Sequence, residues 1–251
     1  MIIEMPHKAD IPALRQLWKQ AFFDDDGFLD RFFTVGYSPR RCRILRKEGT
    51  VASVLYWFDC FLGKEKFSYL YAIATEKSYQ RQGLCRALME STHRHLQSLG
   101  YRGAVLVPGE ASLFSFYQTL GYRSFCPMTQ STIPAGAEKA VLTHLTGEEF
   151  TQRRNKLLPP DGLIQKGETV EFLSSFAEFY SCGETLLCVS KEKDTAHFQE
   201  YLGDMAKLPA IVSALGAQTG TVRVTGGTDY AMYYPLDNRC PVPAYLGIAL
   251  D

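Results

Sequence analysis

The stretch SYQRQGLCRALME, Ser78–Glu90, combines a polar turn with the start of a helix. The turn contains a single glycine, Gly83, and carries the cations Arg81 and Arg86, while its first acidic residue is Glu90. A helix N-terminus already presents free backbone N–H groups and a partial positive charge, so further cations there are unfavourable unless an anion neutralises them. The stretch therefore predicts a site for an anion that the chain itself does not supply, with Gly83 allowing close approach to the backbone.

The composition of the whole chain shows no such charge bias. Its 251 residues include 27 basic and 27 acidic side chains, and 46% are hydrophobic. This balance is typical of a globular protein and argues against a nucleic-acid or membrane partner. The length allows one large domain or two.

The N-terminal sequence and the cysteines bear on the compartment. The first residues, MIIEMPHKADIPAL, lack a basic segment followed by an apolar run, and no apolar run approaches the length of a membrane helix. Seven cysteines form no CxxC pair, an odd set that argues against a disulfide framework and against a zinc site. The sequence therefore predicts a cytoplasmic protein with no bound metal.

The first half predicts a mixed α/β fold. Asp10 is expected to cap a helix from Ile11 to about Phe22, and a short helix follows over 28–33. Three antiparallel strands come next, the third being the apolar run FSYLYAIAT, Phe67–Thr75, typical of a central strand. The remaining expected elements are a helix over 83–99, a strand at 103–108, a helix over 112–121 and one further strand. A strand-helix-strand unit appended to a meander predicts a mixed sheet with helices on both faces.

A second α/β domain is predicted from the change of pattern near residue 134, which divides the chain into 1–133 and 134–251. In this half Thr146 and Glu149 form a capping box that begins a helix. The other expected elements are helices at 170–180 and 208–217 and strands at 185–190, 220–226, 230–235 and 244–250. Its strand-helix-strand ending loosely echoes the first half, which suggests a degenerate repeat.

Two quoted stretches carry a family resemblance. YLYAIATEKSYQRQGLCRALM (69–89), followed by LVPGEASLFSFYQTLGY (106–122), resembles the GCN5-related N-acetyltransferase (GNAT) family. The family's acyl-CoA motif is Gln or Arg, two residues, Gly, one residue, then Gly or Ala. Gln80 and Gly83 fit this motif, and Cys85 takes the last, small-residue place. The resemblance covers roughly residues 1–130 and is similar to the enhanced-intracellular-survival type, which implies an acetyltransferase-like second domain.

The resemblance implies an N-acetyltransferase that uses acetyl-CoA as co-substrate and transfers the acetyl group directly to a primary amine of a small molecule or peptide. It implies that strands four and five of the sheet splay apart to admit the thioester. Backbone groups of Ile73, Ala74 and Thr75 would bind the pantetheine arm. The diphosphate would be held by the residues of the anion turn, namely Arg81, Gln82, Gly83, Leu84, Cys85 and Arg86.

The reaction needs a base, an acid and an oxyanion donor. Fewer than about one in a thousand lysine-type amines are neutral at pH 7, so a proton must be removed from the acceptor. The resemblance makes Tyr117 the acid for the departing thiolate, although a core tyrosine bonded to a carbonyl is the alternative. A backbone N–H near Ile73 is the expected oxyanion donor. The predicted central strand has no acidic residue, which leaves Glu65, Glu110, water or the C-terminal carboxylate of Asp251 as the base.

Two further alternatives stay open at this point. Asp24, Asp25 and Asp26, in the segment joining the first two helices, would attract a cationic amine, or would simply cap a helix from an exposed loop. Cys85 is read as a small residue beside the diphosphate, with a nucleophilic role as the alternative. The lack of a strand carboxylate also permits a catalytically silent acyl-CoA-binding sensor or scaffold.

Overall fold

The computed structural model describes residues 1–250, which divide into two compact units. The first unit comprises Met1–Leu106, Glu110–Arg123 and Tyr233–Pro241, and the second comprises Val107–Gly109, Ser124–Met232 and the residues from Val242 onward. Asp251, a candidate base through its carboxylate, lies outside the described residues. None of the helices within residues 1–250 is long and apolar enough to cross a membrane.

The described residues form seven α-helices and fourteen β-strands. Up to residue 125 they are β1 (Ile2–Glu4), α1 (Ile11–Phe22), α2 (Asp26–Arg31), β2 (Cys42–Lys47), β3 (Thr50–Leu62), β4 (Glu65–Thr75), α3 (Leu84–Ser98), β5 (Gly103–Leu106), α4 (Ala111–Thr119) and β6 (Arg123–Phe125). From there they are β7 (Met128–Pro134), β8 (Thr143–Leu145), α5 (Gly147–Leu157), β9 (Ile164–Gln165), α6 (Glu168–Leu173), β10 (Glu178–Cys182), β11 (Thr185–Glu192), β12 (Thr195–Leu202), α7 (Leu208–Ala214), β13 (Thr219–Thr225) and β14 (Ala231–Pro235).

The first sheet confirms the predicted mixed α/β fold. Its strand order is β1-β2-β3-β4-β5-β14-β6, in which β2, β3 and β4 form an antiparallel meander. The chain leaves β4 through α3 and returns as β5, which pairs parallel to β4. The apolar run in β4 is a central strand, as predicted, because β3 and β5 flank it and Phe67–Leu70 are buried.

Helix α1 spans the predicted residues, but its predicted cap is wrong. Leu14, Leu17 and Trp18 form the buried stripe that fixes the helix against the sheet. The carboxylate of Asp10 gives α1 no cap; it lies 2.6 Å from a guanidinium nitrogen of Arg46 and accepts a hydrogen bond from a backbone N–H upstream of the helix. A charged partner is available to Asp10 across the sheet edge, and a charge-assisted bond is stronger than a neutral cap.

The second sheet repeats the connectivity of the first. Its order is β8-β10-β11-β12-β13-β7, with α5 and α6 between the first two strands. Strands β10, β11 and β12 form an antiparallel meander, and α7 leads to β13, which pairs parallel to β12. Apolar residues of α7 pack on this sheet in a buried cluster that includes Leu187, Phe198, Ile211, Val212 and Val222.

The structure corrects three expectations in the second unit. The predicted helix over 170–180 ends at Leu173, and Glu178–Cys182 forms β10, in which Phe179 is buried against Phe150. Residues 195–202, to which no element was assigned, form β12. Residues 244–250 form no strand, because the carbonyls of this buried segment accept hydrogen bonds from the side chains of Arg154 and Gln165 instead of from a neighbouring strand.

Candidate active site

A bulge interrupts β4 near its carboxyl end. Between Val54 and Tyr56 the register with β3 shifts, so that Ala72 and Ile73 together oppose one residue of β3. Ala72 adopts a positive φ of 48°, a conformation that residues with a Cβ rarely adopt. A bulge leaves a backbone group out of the ladder and re-aims it. The bulge therefore marks Ala72 and Ile73 as the residues of β4 whose backbone groups can leave the ladder with β3.

The parallel pairing of β4 with β5 stops just before this bulge. The paired residues run from Phe67 with Gly103 to Tyr69 with Val105, whereas β4 continues to Thr75. We call the unpaired region between residues 70–75 of β4 and the end of β5 the strand split. It lies next to the bulge, where the resemblance implies that strands four and five splay apart; that splaying stays a prediction.

The anion turn joins β4 to α3, and its geometry fits a diphosphate. Gly83 occupies the N-cap position with φ of 78°, and a Cβ added there would meet nothing within 4 Å. No side chain caps this helix, and the first bond of α3 runs from the N–H of Ala87 to the carbonyl of Gly83. The N–H groups of Leu84, Cys85 and Arg86 therefore have no acceptor within the helix and remain available to an anion.

Side chains of the turn hold its shape. Nε2 of Gln80 donates to the carbonyl of Thr75 at 3.1 Å, and Nε2 of Gln82 donates to the carbonyl of Ser78 at 3.1 Å. Arg81 is exposed, adopts φ of 60° and forms no ion pair within the described chain. A strained, unpaired arginine beside an open helix start is suited to a negatively charged ligand.

Lys47 is a residue of this site that sequence reasoning missed. Its Nζ lies 2.5 Å from Oε1 of Gln82 and 5.3 Å from the ring centroid of Tyr79, and it pairs with no carboxylate in residues 1–250. The signal was available in the predicted meander. Since β3 and β4 are antiparallel, the turn between β2 and β3 lies at the same sheet edge as the end of β4.

Arg86 is placed differently from Arg81. Its guanidinium donates to the carbonyl and the hydroxyl of Thr119, at 3.2 and 2.8 Å, and lies 4.0 Å from a carboxylate oxygen of Glu90. These bonds tie the first turn of α3 to the end of α4. The side chain of Arg86 thus has a structural role here, and its contact with a diphosphate stays a prediction.

Tyr117, the predicted acid, lies on α4 and is 7% exposed. Its ring packs edge-on against Tyr122, with centroids 5.6 Å apart, and its hydroxyl has no hydrogen-bond partner among the described residues. It therefore lacks the carbonyl bond of an ordinary core tyrosine. Burial raises the pKa of Tyr117 above its usual value, so the phenol keeps its proton at neutral pH. Burial likewise raises the pKa of the Cys85 thiol to about 11, which disfavours a nucleophilic thiolate.

A buried cluster supports the ring next to Tyr117. Nε2 of His93 lies 2.8 Å from the hydroxyl of Tyr122, and the imidazole stacks on Tyr234 with centroids 4.1 Å apart. Burial lowers the pKa of His93 to about 4, so the imidazole is neutral at pH 7. The cluster fixes Tyr122, which in turn limits the orientation of Tyr117.

The two described candidate bases lie at opposite ends of the sheet. Glu65 begins β4 and pairs with Arg102 at 2.8 Å. At about 3.3 Å per residue it is roughly 16 Å from residue 70, where the strand split begins, and roughly 33 Å from Thr75, where it ends, which excludes direct contact with the split. Glu110 precedes α4, where it accepts a hydrogen bond from the hydroxyl of Ser112 at 2.5 Å. Because β4 and β5 are parallel, Glu110 follows β5 at the same sheet edge as the anion turn.

The acidic loop between α1 and α2 is internally bonded. Asp24 accepts a hydrogen bond of 2.8 Å from the indole of Trp18, and Asp25 caps α2 through its side chain. Asp26 lies 2.6 Å from Nζ of Lys19, whose hydrogen bond lowers the pKa of that carboxyl. The capping alternative therefore describes these aspartates better than a free acidic acceptor site.

Comparison with known proteins identifies the first part of the chain. Residues 3–125 match the family model described as an acetyltransferase (GNAT) domain. Residues 3–125 form a GNAT domain. This family supports acetyl transfer as the general activity of the domain, and the GNAT domain contains the strand split and the anion turn. No curated protein matches the sequence at a significant level.

Solved structures resemble the fold over most of the chain. The GCN5-related N-acetyltransferase from Kribbella flavida aligns with a TM-score of 0.73 at 12% identity, covering 94% of this chain and 72% of that one. A GCN5-related N-acetyltransferase from Anabaena variabilis aligns with a TM-score of 0.71 at 13% identity, covering 94% of this chain and 73% of that one. Eis1 from Mycobacterium abscessus aligns with a TM-score of 0.67 at 11% identity, covering 94% of this chain and 74% of that one. At these identities the likeness shows that the GNAT domain and the second unit share a fold with these proteins.

Proposed function

We propose that the protein is an acetyl-CoA-dependent N-acetyltransferase that moves the acetyl group directly from the thioester to a primary amine. The observation that carries this proposal is the strand split at the Ala72 bulge, on the strand that leads through the anion turn to an uncapped helix start at Gly83. The strand split accepts an extended acyl arm, and the helix start at Gly83 accepts a diphosphate. The family match of residues 3–125 supports the same reaction class.

The anion turn anchors the cofactor. The N–H groups of Leu84, Cys85 and Arg86 point along the axis of α3, where the helix dipole favours negative charge. Arg81, within the turn, and Lys47, bonded to Gln82 of the turn, add two cations. The backbone of Ile73, Ala74 and Thr75 borders the strand split, where it would bind the pantetheine arm.

Chemistry takes place at the bulge. Acetyl-CoA, when bound, supplies an acetyl group already activated as a thioester. A backbone N–H from Ala72 or Ile73 donates to the acyl oxygen as negative charge develops, a contribution of about 3 kcal/mol for such a donor. Tyr117, which is protonated at neutral pH, gives its proton to the departing sulfur as the thiolate forms. Glu110 or a water molecule next to it removes the proton from the amine.

The acceptor amine approaches beside aromatic rings. Tyr71, immediately before the bulge, packs against Trp18 and Phe32 with centroids 5.6 and 6.0 Å apart. Aromatic faces attract ammonium groups and apolar surface alike. We therefore favour a primary amine of a small molecule or peptide that carries apolar groups near the nitrogen. All seven cysteines are free, which fits a reducing compartment, so we place the reaction in the cytoplasm.

A second candidate function is a silent acyl-CoA-binding sensor or scaffold. The observation that favours it is the lack of a carboxylate on β4 beside the split, since the strand's acidic residue, Glu65, is bonded to Arg102 at the other end. Such a protein would bind acetyl-CoA and release no thiol.

One pair of measurements separates the two functions. Thiol release from acetyl-CoA is followed with a panel of primary amines that includes polyamines, aromatic amines and lysine peptides, and acetyl-CoA binding is measured by calorimetry. Binding with amine-dependent thiol release supports the transferase. Binding without release for every amine supports the sensor, and absence of binding overturns both.

A further inference from the structure

Arg86 joins the anion turn to the helix that carries Tyr117. Its backbone N–H is one of the donors without an intrahelical acceptor at the start of α3, whereas its side chain reaches across to the end of α4. The guanidinium donates to two oxygens of one residue, the carbonyl of Thr119 at 3.2 Å and the hydroxyl of Thr119 at 2.8 Å. Arg86 therefore belongs to the anion turn through its main chain and to the end of α4 through its side chain.

The two bonds complete the carboxyl end of α4. Thr119 is the last residue of this helix, and the carbonyls at a helix end have no partner within the helix. The hydroxyl that accepts from Arg86 itself donates to the carbonyl of Phe116 at 2.7 Å. A cation at this end is also favoured by the dipole of α4. The side chain of Arg86 thus acts as a capping group for α4.

The placement of Tyr117 depends on the same end of α4. Tyr117 lies two residues before Thr119, and its carbonyl accepts from the N–H groups of Leu120 and Tyr122 in the turn that ends the helix. Its hydroxyl has no hydrogen-bond partner within residues 1–250, so no bond of its own fixes the phenol. The position of the hydroxyl therefore follows the position of the helix end.

A second interaction joins the same two helix ends. Burial raises the pKa of Tyr117, and the thiol of Cys85 raises it further. Such an electrostatic effect weakens with distance, so it is consistent with a first turn of α3 that lies beside Tyr117. Two consecutive residues of α3 thus act on α4, Cys85 at Tyr117 and Arg86 at Thr119.

We infer that Arg86 is a positioning residue, which through Thr119 holds α4 so that the hydroxyl of Tyr117 lies at the sulfur of an acetyl-CoA bound at the anion turn. Since the reaction is the one proposed above, this role of Arg86 rests on the proposed function. The family resemblance implies instead that Arg86 holds the diphosphate. The two roles differ in what they affect, because a diphosphate ligand changes the affinity for CoA, whereas a positioning residue changes the rate of the chemical step.

The first test separates rate from affinity in the full chain, with thiol release from acetyl-CoA for kcat and KM and calorimetry for CoA affinity. Arg86→Gln is expected to lower kcat about tenfold or more, since a small displacement of a catalytic group costs up to about a hundredfold, and to change CoA affinity by less than about threefold. Thr119→Val removes the hydroxyl at nearly constant size and is expected to lower kcat by a smaller factor at unchanged affinity. Both side chains are at least partly exposed, so both variants should fold. Arg94→Gln, at an exposed arginine about two turns further along α3, is the matched control and should equal wild type.

A double variant tests whether Arg86 acts through the proposed acid. In the Tyr117→Phe background, Arg86→Gln is expected to lower kcat no further, because residues that act as a unit are not additive. An equal loss in both backgrounds would show that Arg86 acts elsewhere.

A further measurement does not depend on turnover. Protein labelled with fluorotyrosine gives a fluorine NMR signal for Tyr117, which is identified by its disappearance in Tyr117→Phe. Saturation with CoA is expected to shift this signal in wild type and to shift it less in Arg86→Gln. If wild type binds CoA and releases no thiol with any amine, the proposed transfer is overturned, and the NMR comparison still decides whether Arg86 links the anion turn to Tyr117.

Three results would overturn the inference. The first is a kcat of Arg86→Gln equal to that of Arg94→Gln. The second is a loss of CoA affinity in Arg86→Gln at unchanged kcat, which would assign the side chain to the diphosphate. The third is a Tyr117 signal that CoA shifts equally in wild type and in Arg86→Gln.

Discussion

The ammonium of Lys47 lies 2.5 Å from Oε1 of Gln82, although 35 residues separate them in the chain. The hydrogen bond brings a lysine from the turn between β2 and β3 onto the anion turn at the start of α3. Gln82 is neutral, so the positive charge of Lys47 is not cancelled by this contact. A diphosphate bound at the anion turn, as we propose, would therefore meet the cation of Lys47 in addition to that of Arg81.

Lys47→Gln tests this charge. We expect about a tenfold rise in KM for acetyl-CoA with little change in kcat, because a charge-assisted contact to phosphate is worth about 1.5–3 kcal/mol and the lysine is distant from the thioester. Steady-state kinetics at low and high salt measure the effect. Lys64→Gln, in the exposed turn between β3 and β4, is the control and should match wild type. Equal KM values for both variants would remove Lys47 from the site.

Two substitutions of Gly83 separate the effect of an added negative charge at the anion turn from the effect of an added side chain. Gly83→Asp and Gly83→Asn add side chains of nearly equal size at φ of 78°, a conformation that both residues tolerate better than most. Because the space around this position is open, both variants should fold. We expect Asp to abolish CoA binding by placing a carboxylate where the diphosphate binds, and Asn to weaken it by a smaller factor. Calorimetric titration with CoA measures the affinity of each variant. An equal loss of CoA affinity in both variants would show that the size of the side chain, and not its charge, prevents binding.

The extents of α1 and α3 were predictable from the sequence, and the features that depend on register, among them the bond to Arg46 that takes Asp10 from its predicted cap, were not. A glycine before an amphipathic run fixed the start of α3, because helix signals are local. The contact of Lys47 with Gln82 depends on which sheet edge each turn reaches. Strand β12 was missed because a charged residue, Glu200, takes a buried position and is followed by a second buried residue, Tyr201, so that the apolar alternation of a strand is lost. The segment 244–250 is apolar and buried like a strand, but the side chain of Arg154 satisfies its backbone.

Tyr117→Phe removes the proposed acid and preserves the ring packing. The expected result is a fall in kcat of about a hundredfold or more with an unchanged KM for acetyl-CoA, since general-acid catalysis contributes about 10²–10⁴-fold. Kinetics from pH 6 to pH 9 measure it. Tyr122→Phe is the control variant, because the hydroxyl that it removes bonds to His93. We expect its loss to lower stability more than turnover. Wild-type turnover by Tyr117→Phe at every pH would exclude the acid role.

His93 makes stability depend on pH in the acid range. Its pKa is lowered to about 4 by burial, whereas an unfolded chain titrates near 6.5, so between these values the unfolded state binds more protons. Stability is therefore complete above pH 6.5 and is lost as the pH falls toward 4, by up to about 3 kcal/mol. Urea unfolding at pH 7, 5.5 and 4.5 measures this slope. His93→Gln keeps a hydrogen-bonding group for Tyr122 and should show a shallower slope; an equal slope would assign the effect to other groups.

Arg154 and Glu200 form a buried ion pair in the second unit. Their side chains are 0% and 1% exposed, and two hydrogen bonds of 2.6 and 2.9 Å join them. Arg154→Met leaves the carboxylate of Glu200 buried without its partner, which is expected to cost about 3–5 kcal/mol of unfolding free energy. Arg154→Met combined with Glu200→Gln removes the orphaned charge as well and should cost less than the single change. Denaturant unfolding of wild type, the single variant and the double variant measures the difference in unfolding free energy. A double variant that is less stable than Arg154→Met would contradict the role of the unpaired charge. The lost stability would then come from packing and from the bond to the carbonyl of Leu246.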